Sequence, residues 1–487
     1  MSLQRIARSV TVQYIGRIFG YMCSLGIVAI ITRRLGVHDY GEFTTALAVA
    51  TLIITFSDFG FFWSTIHGVS NTDDKAKVVS EIAGIKLVVT LATLIIGALV
   101  VYLGHFSIAV RESFWILSIF VLSSSLNNVL VAVYQSEYRM VHPTVAEALS
   151  RLINLVLVFF GMIKGYGLEY FIAATTFAAL ANVLINWGGL NRLVGLIRPR
   201  VFGYSWSVYY RTVFLLGLIQ LLYVTFYRVD VIILSWLKPA VDVGIYGIVV
   251  KVTEIISAVS SIFVGALFPT LVESFKVDKA KFLEYVSRSF LVLFSLALPI
   301  ALYGQWFNYD LIKIIGGREF LTTSTVTFAG HQIYAQSILS IALVFCALNY
   351  LSSVFYTALL AAEKMRILLV FNFVCLAVNI GLNIVFVPHY SYLTTMGVTA
   401  ITEVVILILT AGYFIKKFQY RLPFGQIFLL ILATLPGVAF LVIVSPQSLL
   451  LRFAVTAVLY FGTMALILPK SRRVLGMMLR GKTPVND

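Results

Sequence analysis

The stretch VTVQYIGRIFGYMCSLGIVAII, Val10 to Ile31, runs directly into TRRLGVHDYGEFTTALAVATLIITFSDFG, Thr32 to Gly60. The first part carries a single charge, Arg17. A helix rises 1.5 Å per residue, so about twenty apolar residues cross the roughly 30 Å hydrocarbon layer of a bilayer. The run is too long for the apolar core of a signal peptide, has no small-x-small cleavage site and ends in Arg33 and Arg34. It therefore reads as an uncleaved first span. A short polar turn then gives way to a second apolar run, and the same alternation continues along the chain.

Fourteen candidate spans emerge, near residues 10–31, 40–66, 87–103, 113–134, 145–163, 170–189, 212–237, 244–271, 289–307, 336–361, 367–387, 396–415, 424–444 and 449–468. The start of the tenth is ambiguous between residues 322 and 336. Composition agrees with this reading. Of 487 residues, 60% are hydrophobic and 12% charged, with a mean hydropathy of +0.96. A soluble domain carries roughly 25% charged residues, and a disordered chain is poor in apolar ones. A transmembrane barrel shows alternating segments of about ten residues, half the length of the runs found here. The predicted fold class is an all-α polytopic membrane protein with about fourteen transmembrane helices.

The net charge of +15 has a topological explanation. With an even number of spans and the N-terminus inside, 25 of the 36 Lys and Arg fall on the cytoplasmic side, 8 outside, and Arg17, Arg228 and Lys251 within spans. Acidic residues number ten, seven and four in the same compartments, the four being Asp58, Asp230, Glu254 and Glu403. This is the positive-inside bias, which predicts both termini in the cytoplasm; the expected location is the cell inner (plasma) membrane. It removes nucleic acid as a partner and leaves membrane lipids. Cys23, Cys346 and Cys375 all lie in apolar runs without a CxxC spacing, as expected of buried packing residues rather than a disulfide or metal site. The segments 191–211 and 272–288 are predicted to lie along the cytoplasmic interface, the first anchored by Tyr204, Trp206 and Tyr209.

The chain carries an internal repeat. Arg34–Thr51 (RLGVHDYGEFTTALAVAT) aligns with Trp236–Glu254 (WLKPAVDVGIYGIVVKVTE), allowing one inserted residue near Pro239. Leu35 then meets Leu237, Asp39 meets Asp242, and Gly41 meets Gly244. A second match sets Ala132–Met140 against Ala358–Arg366, with Glu137 opposite Glu363. Both offsets correspond to six spans, so the halves share one orientation and are related by an axis along the membrane normal.

The junction Arg33, Leu35, Gly36, Tyr40, Gly41, Phe43, followed by Asp58-Phe59-Gly60, resembles the polysaccharide-type flippases of the multidrug/oligosaccharidyl-lipid/polysaccharide (MOP) exporter superfamily. Tyr227-Arg228-Val229-Asp230, Gly244-Ile245-Tyr246 and Asn379-x-x-x-Asn383 ahead of Pro388 and Gly397 continue the resemblance in order and spacing. It implies two pseudo-symmetric six-helix lobes, here residues 1–200 and 201–420. Residues 421–487 add two helices and a basic cytoplasmic tail. It further implies movement of a lipid-linked oligosaccharide, a polyprenyl diphosphate glycan, for surface polysaccharide biosynthesis. Glycan-assembly machinery is then a partner, and the chain is a transporter rather than an enzyme.

Charges at bilayer depth are costly and mark candidate sites. Gly247, Lys251, Glu254, Ala258 and Ser261 form one stripe at helical spacing, and their repeat partners are Thr44, Ala48, Thr51, Thr55 and Asp58. Paired stripes suit the lining of an aqueous cavity; the alternative is a Lys251–Glu254 pair that packs one lobe. Arg17, Arg228 and Lys251 suit a diphosphate head group, since guanidinium forks match phosphate oxygens. Arg33 and Arg34 either receive the same anion at the outer end or snorkel to lipid phosphates. Asp230, with Asn379 and Asn383 on one helical face and Thr399 and Glu403 on another, offers oxygen ligands. Such a set suits Na+, a carboxylate alone suits H+, and the plain alternative is interhelical hydrogen bonding. No other cofactor or metal is expected. The rival functions are a cation-coupled multidrug exporter of the same superfamily and a membrane glycan polymerase or ligase.

Overall fold

The computed structural model describes residues 3–104, 106–201, 206–444 and 448–467. The expected basic tail after residue 467 and the side chains of Tyr204, Trp206 and Tyr209 lie outside that description. The helices are α1 (Leu3–Asp58), α2 (Phe61–Ser70), α3 (Lys75–Leu103), α4 (Ile108–Ser136), α5 (Val141–Lys164), α6 (Leu168–Val194), α7 (Trp206–Leu237), α8 (Ala240–Val277) and α9 (Lys279–Ile315). A short α10 (Glu319–Thr322) and a hairpin of β1 (Val326–Phe328) and β2 (His331–Ile333) follow. Then come α11 (Ala335–Ala361), α12 (Met365–Phe418), α13 (Phe424–Ile443) and α14 (Leu449–Ile467).

Among the described residues, 12 helical segments are long and apolar enough to cross a membrane. Two are far too long for one crossing. At 56 and 54 residues, α1 and α12 would each extend about 80 Å if straight. Each is two spans meeting at a break: α1 at Gly36 (φ 74°, ψ −174°), α12 at Ser391 (φ 48°, ψ −131°). With both breaks counted, the described residues hold fourteen candidate spans, in keeping with the number expected, and the protein is a multi-pass membrane protein.

Residues 272–288 form no segment of their own: they are the last six residues of α8 and the first ten of α9, helices of 38 and 37 residues that outrun the hydrocarbon layer. Asp278 divides them, its carboxylate accepting from the N–H groups of Ala280 and Lys281 at 2.8 and 3.3 Å, as an N-cap does.

The chain forms two compact units. The first comprises Met1–Val249, Ile312–Ala335 and Met365–Val398; the second comprises Val250–Leu311, Gln336–Lys364 and Thr399–Asp487. In the first, the repeat is visible as packing. A Cβ on Gly41 would strike the carbonyl oxygen of Ala240, and one on Gly244 would strike that of Val37. The offset that aligns Gly41 with Gly244 also aligns Val37 with Ala240, so the two contacts are one contact seen twice across a pseudo-twofold axis. Thr44 and its aligned partner Gly247 meet near that axis, where a Cβ on Gly247 would lie 2.8 Å from Thr44. Only glycine permits backbones to approach so closely.

In the second unit an aromatic cluster of Phe282, Phe355, Phe414 and Phe418 joins α9, α11 and the end of α12. The last two helices are fastened to α9. The Tyr303 hydroxyl donates to the Thr434 carbonyl at 3.0 Å and that of Tyr460 to Ser295 at 2.7 Å. Arg452 pairs with Asp310. The three cysteines are buried with free thiols.

Candidate functional site

Three carboxylates buried at span depth organise the polar interior. Asp58 ends α1, and Phe59-Gly60 turns the chain into α2, with Gly60 in the left-handed region (φ 82°). This break leaves the last carbonyls of α1 without helical partners. Lys86, on α3 and completely buried, supplies one: its Nζ donates to the Ser57 carbonyl and to Asp58 Oδ1, both at 2.8 Å. The ammonium thus sits where the helix dipole is negative and beside a carboxylate. It also lies 5.0 Å over the Phe61 ring. Thr90, Ser125 and Ser57 hydroxyls extend the network at 2.7 and 3.1 Å. A cavity of about 60 Å³ opens against Asp58, lined by Thr55, Gly60, Asn128, Gly217 and Gln220. It has room for a few waters and none for a lipid head group.

Asp230 is built differently. It is 2% exposed, on α7, and accepts from Asn383 Nδ2 at 3.1 Å and from the Tyr246 hydroxyl at 3.2 Å. Asn383 Nδ2 also donates to Asn379 Oδ1 at 3.0 Å, one turn earlier on α12. Both asparagines are fully buried. Among the described residues, Asn383 Oδ1 is a buried acceptor with no hydrogen-bond donor, and Asn379 Nδ2 a donor with no acceptor. The structure therefore joins the Asp230, Asn379 and Asn383 of the sequence expectation into one cluster within the first unit.

Thr399 and Glu403 belong to the second unit. Glu403, 1% exposed, accepts from the Ser352 hydroxyl at 2.5 Å and Asn349 Nδ2 at 3.3 Å, both on α11. Lys251 and Glu254, on α8, pair at 3.0 Å with about a third of each side chain exposed.

The arginines divide. Arg17 is exposed and Arg228 half-buried. Arg33 and Arg34 are exposed, and both guanidiniums donate to main-chain carbonyls: Arg33 to Ile314 at 2.8 Å, Arg34 to Gly165. These carbonyls end α9 and α5, where a cation meets the negative end of the helix. On α1, Thr44, Thr51 and Thr55 are half-buried, and each hydroxyl donates to the carbonyl four residues back at 2.7–2.8 Å. Their hydroxyls are thereby satisfied without water.

Several polar residues were not anticipated. The apolar run at 87–103 leaves Lys86 just outside it, yet α3 starts at Lys75 and carries Lys86 three turns along the helix, fully buried, where it balances Asp58. Glu42 and Asp242 are not among the four acidic residues expected within spans, yet they are 6% and 2% exposed. Glu42 accepts from Ser107 at 2.5 Å, and Asp242 from Thr325 at 2.5 Å and from Ser391. Asn186 links Asn127 and Asn182 at 2.8 and 3.1 Å. The helical period carried back from the apolar run of α3 could have placed Lys86; nothing local could have paired Asp242 with residues so distant in sequence.

A family model described as polysaccharide biosynthesis protein matches residues 6–275, more than half the chain. The chain belongs to that family. A second model, MatE, matches residues 216–385. No curated protein matches the sequence. Among solved structures, the fold is similar to the lipid II flippase MurJ in an inward closed conformation: TM-score 0.74 at 12% identity, covering 95% of this chain and 99% of that one. An inward-facing multidrug resistance MATE transporter of the MOP superfamily gives 0.56 at 16% identity, covering 84% and 98%. A MOP superfamily transporter from Pyrococcus furiosus gives 0.55 at 15%, covering 86% and 96%. At these identities the likeness is one of fold, and the family member shares the architecture of flippases and multidrug transporters.

Proposed function

We propose that this protein is a flippase that moves a lipid-linked oligosaccharide, carried on polyprenyl diphosphate, from the cytoplasmic to the outer leaflet of the plasma membrane by alternating access. Membership of the polysaccharide biosynthesis family carries this reading. The fold shared along 95% of the chain with a lipid II flippase supports it, because that likeness extends to nearly the whole of both chains. In this reading residues 1–200 and 201–420 are the two lobes, residues 421–487 add two helices and a tail, and both termini are cytoplasmic.

Arg17 and Arg228 supply positive charge to the diphosphate, with bidentate geometry that an ammonium lacks. Lys251, held by Glu254 at 3.0 Å, is a further cation that becomes available when the pair opens. The cluster at Asp230 takes a coupling cation. A carboxylate and the amide oxygens of Asn379 and Asn383 form a hard oxygen set, and the unpartnered Asn383 Oδ1 is an acceptor left for a ligand. Na+ suits this set better than a bare proton does, and Glu403 remains a separate carboxyl group.

The test is translocation of a lipid-linked glycan in sealed vesicles containing the purified chain, with and without a Na+ gradient. Arg228→Ala and Asp230→Asn are expected to lose most of the rate. Wild-type rates in both variants would overturn the site assignment. Loss of a surface polymer with accumulation of its lipid-linked precursor, in cells lacking the protein, would support the substrate class. Resistance to cationic drugs without a glycan defect would instead favour a multidrug exporter.

A further inference from the structure

The segment Ile312–Ala335 enters from α9 and leaves into α11, both mainly in the second unit, yet it packs with the first. It holds both helix breaks. At Gly36 the second half of α1 begins with N–H groups that have no helical partner. The Val37 N–H is donated to Glu319 Oε1 at 3.1 Å, so a carboxylate from a distant segment caps this helix end. Gly36 is needed there twice over: its φ is 74°, and a Cβ would lie 2.7 Å from that same carboxylate. Just before the break, Thr32 donates to the Ile315 carbonyl at 2.6 Å. The other end of the segment holds the second break. Asp242 accepts from Thr325 and from Ser391, the residue at the break itself, and the Tyr392 hydroxyl donates to the Ile333 carbonyl at 2.5 Å.

We propose that Ile312–Ala335 is a latch on the outer face, whose release from the breaks at Gly36 and Ser391 accompanies opening of that face. The chemistry of the contacts distinguishes a latch from a fixed wall. Its polar contacts to Thr32, Val37, Asp242 and Tyr392 are single hydrogen bonds, each of which water replaces on release at modest net cost, while Phe320, fully buried with its ring edge-on to Tyr40, is the apolar part of the catch. The segment is continuous with α9 at one end and with α11 at the other, so movement of either helix pulls on it. The assignment of the outer face, and the need for it to open, rest on the alternating-access reading above.

The test uses the full chain in lipid nanodiscs, with Val37→Cys as reporter and a water-soluble maleimide as probe. Val37 is 1% exposed, and the substitution keeps the N–H that Glu319 accepts. Adding Glu319→Ala is expected to speed labelling at position 37 about tenfold, the effect of losing a charge-assisted hydrogen bond, and Glu319→Gln two- to threefold. Cys346 and Cys375, both buried, serve as internal controls and should label no faster. Unchanged labelling at position 37 would overturn the latch. An equal rise at Cys346 and Cys375 would also overturn it, because the segment would then merely hold the fold together. A chain that showed the expected labelling but moved no lipid-linked glycan would overturn the proposed substrate and leave the latch standing.

Discussion

Asp58 and Asp230 are both buried carboxylates on long apolar helices, yet they have different neighbours. Asp58 is held by an ammonium, Lys86, that is itself fully buried. Asp230 accepts from an amide and a phenol, next to an amide oxygen without a donor. A buried carboxylate is tolerated when a positive charge is near. In the first case the protein supplies that charge permanently, and the aspartate pins a helix break. In the second, under the proposed function, the gathered carboxylate and amide oxygens suit a coupling cation. Burial of an acid in a membrane helix therefore does not by itself identify a coupling site.

Removing the fixed counter-charge should have the largest effect. Lys86→Met leaves Asp58 buried without its cation, and breaking a buried pair costs about 3–5 kcal/mol. Thermal unfolding of the purified protein should show this as a large fall in Tm, partly recovered by adding Asp58→Asn. An undiminished Tm in the single variant would erase the contrast.

Sodium titration sharpens it from the other side. A cation at a hundred times its Kd stabilises the folded state by about 2.7 kcal/mol. The wild type and the Lys86→Met/Asp58→Asn double variant should both gain this in NaCl relative to choline chloride, while Asp230→Asn should gain nothing. If Asp58→Asn alone abolished the response, the roles assigned here would be reversed.

Glu403 lies between the two cases, with hydroxyl and amide donors. Ser352→Ala removes one hydrogen bond and should cost about 1–3 kcal/mol, with the sodium response intact. The smallest effect is expected at Lys251–Glu254. This pair is partly exposed and local, so Lys251→Gln should change stability by under about 1 kcal/mol. A clear loss of transport in that variant would mark Lys251 as a substrate contact rather than a packing group.

The spans were legible because the bilayer imposes a length and a composition on each, and the repeat because Gly41 and Gly244 occupy equivalent positions. Arg228, Asp230, Lys251, Glu254 and Glu403 stood out as charges inside apolar runs. Lys86 did not, because it borders its run and a boundary drawn from hydropathy stops short of it. Asp242 and Glu319 sat among turn residues and looked solvated. Their partners at Ser391 and Val37 are far away in sequence, and no periodicity signals such a pairing.

The sequence by itself determined a polytopic helical membrane protein of about fourteen spans with an internal repeat, since length and hydropathy act locally along the chain. Only the tertiary structure decided that Lys86 pairs with Asp58, which amides gather around Asp230, and how one segment between α9 and α11 ties two helix breaks together. Those are decided by the company each polar group keeps in a low-dielectric interior, where a partner at 3 Å outweighs anything its neighbours in sequence can specify.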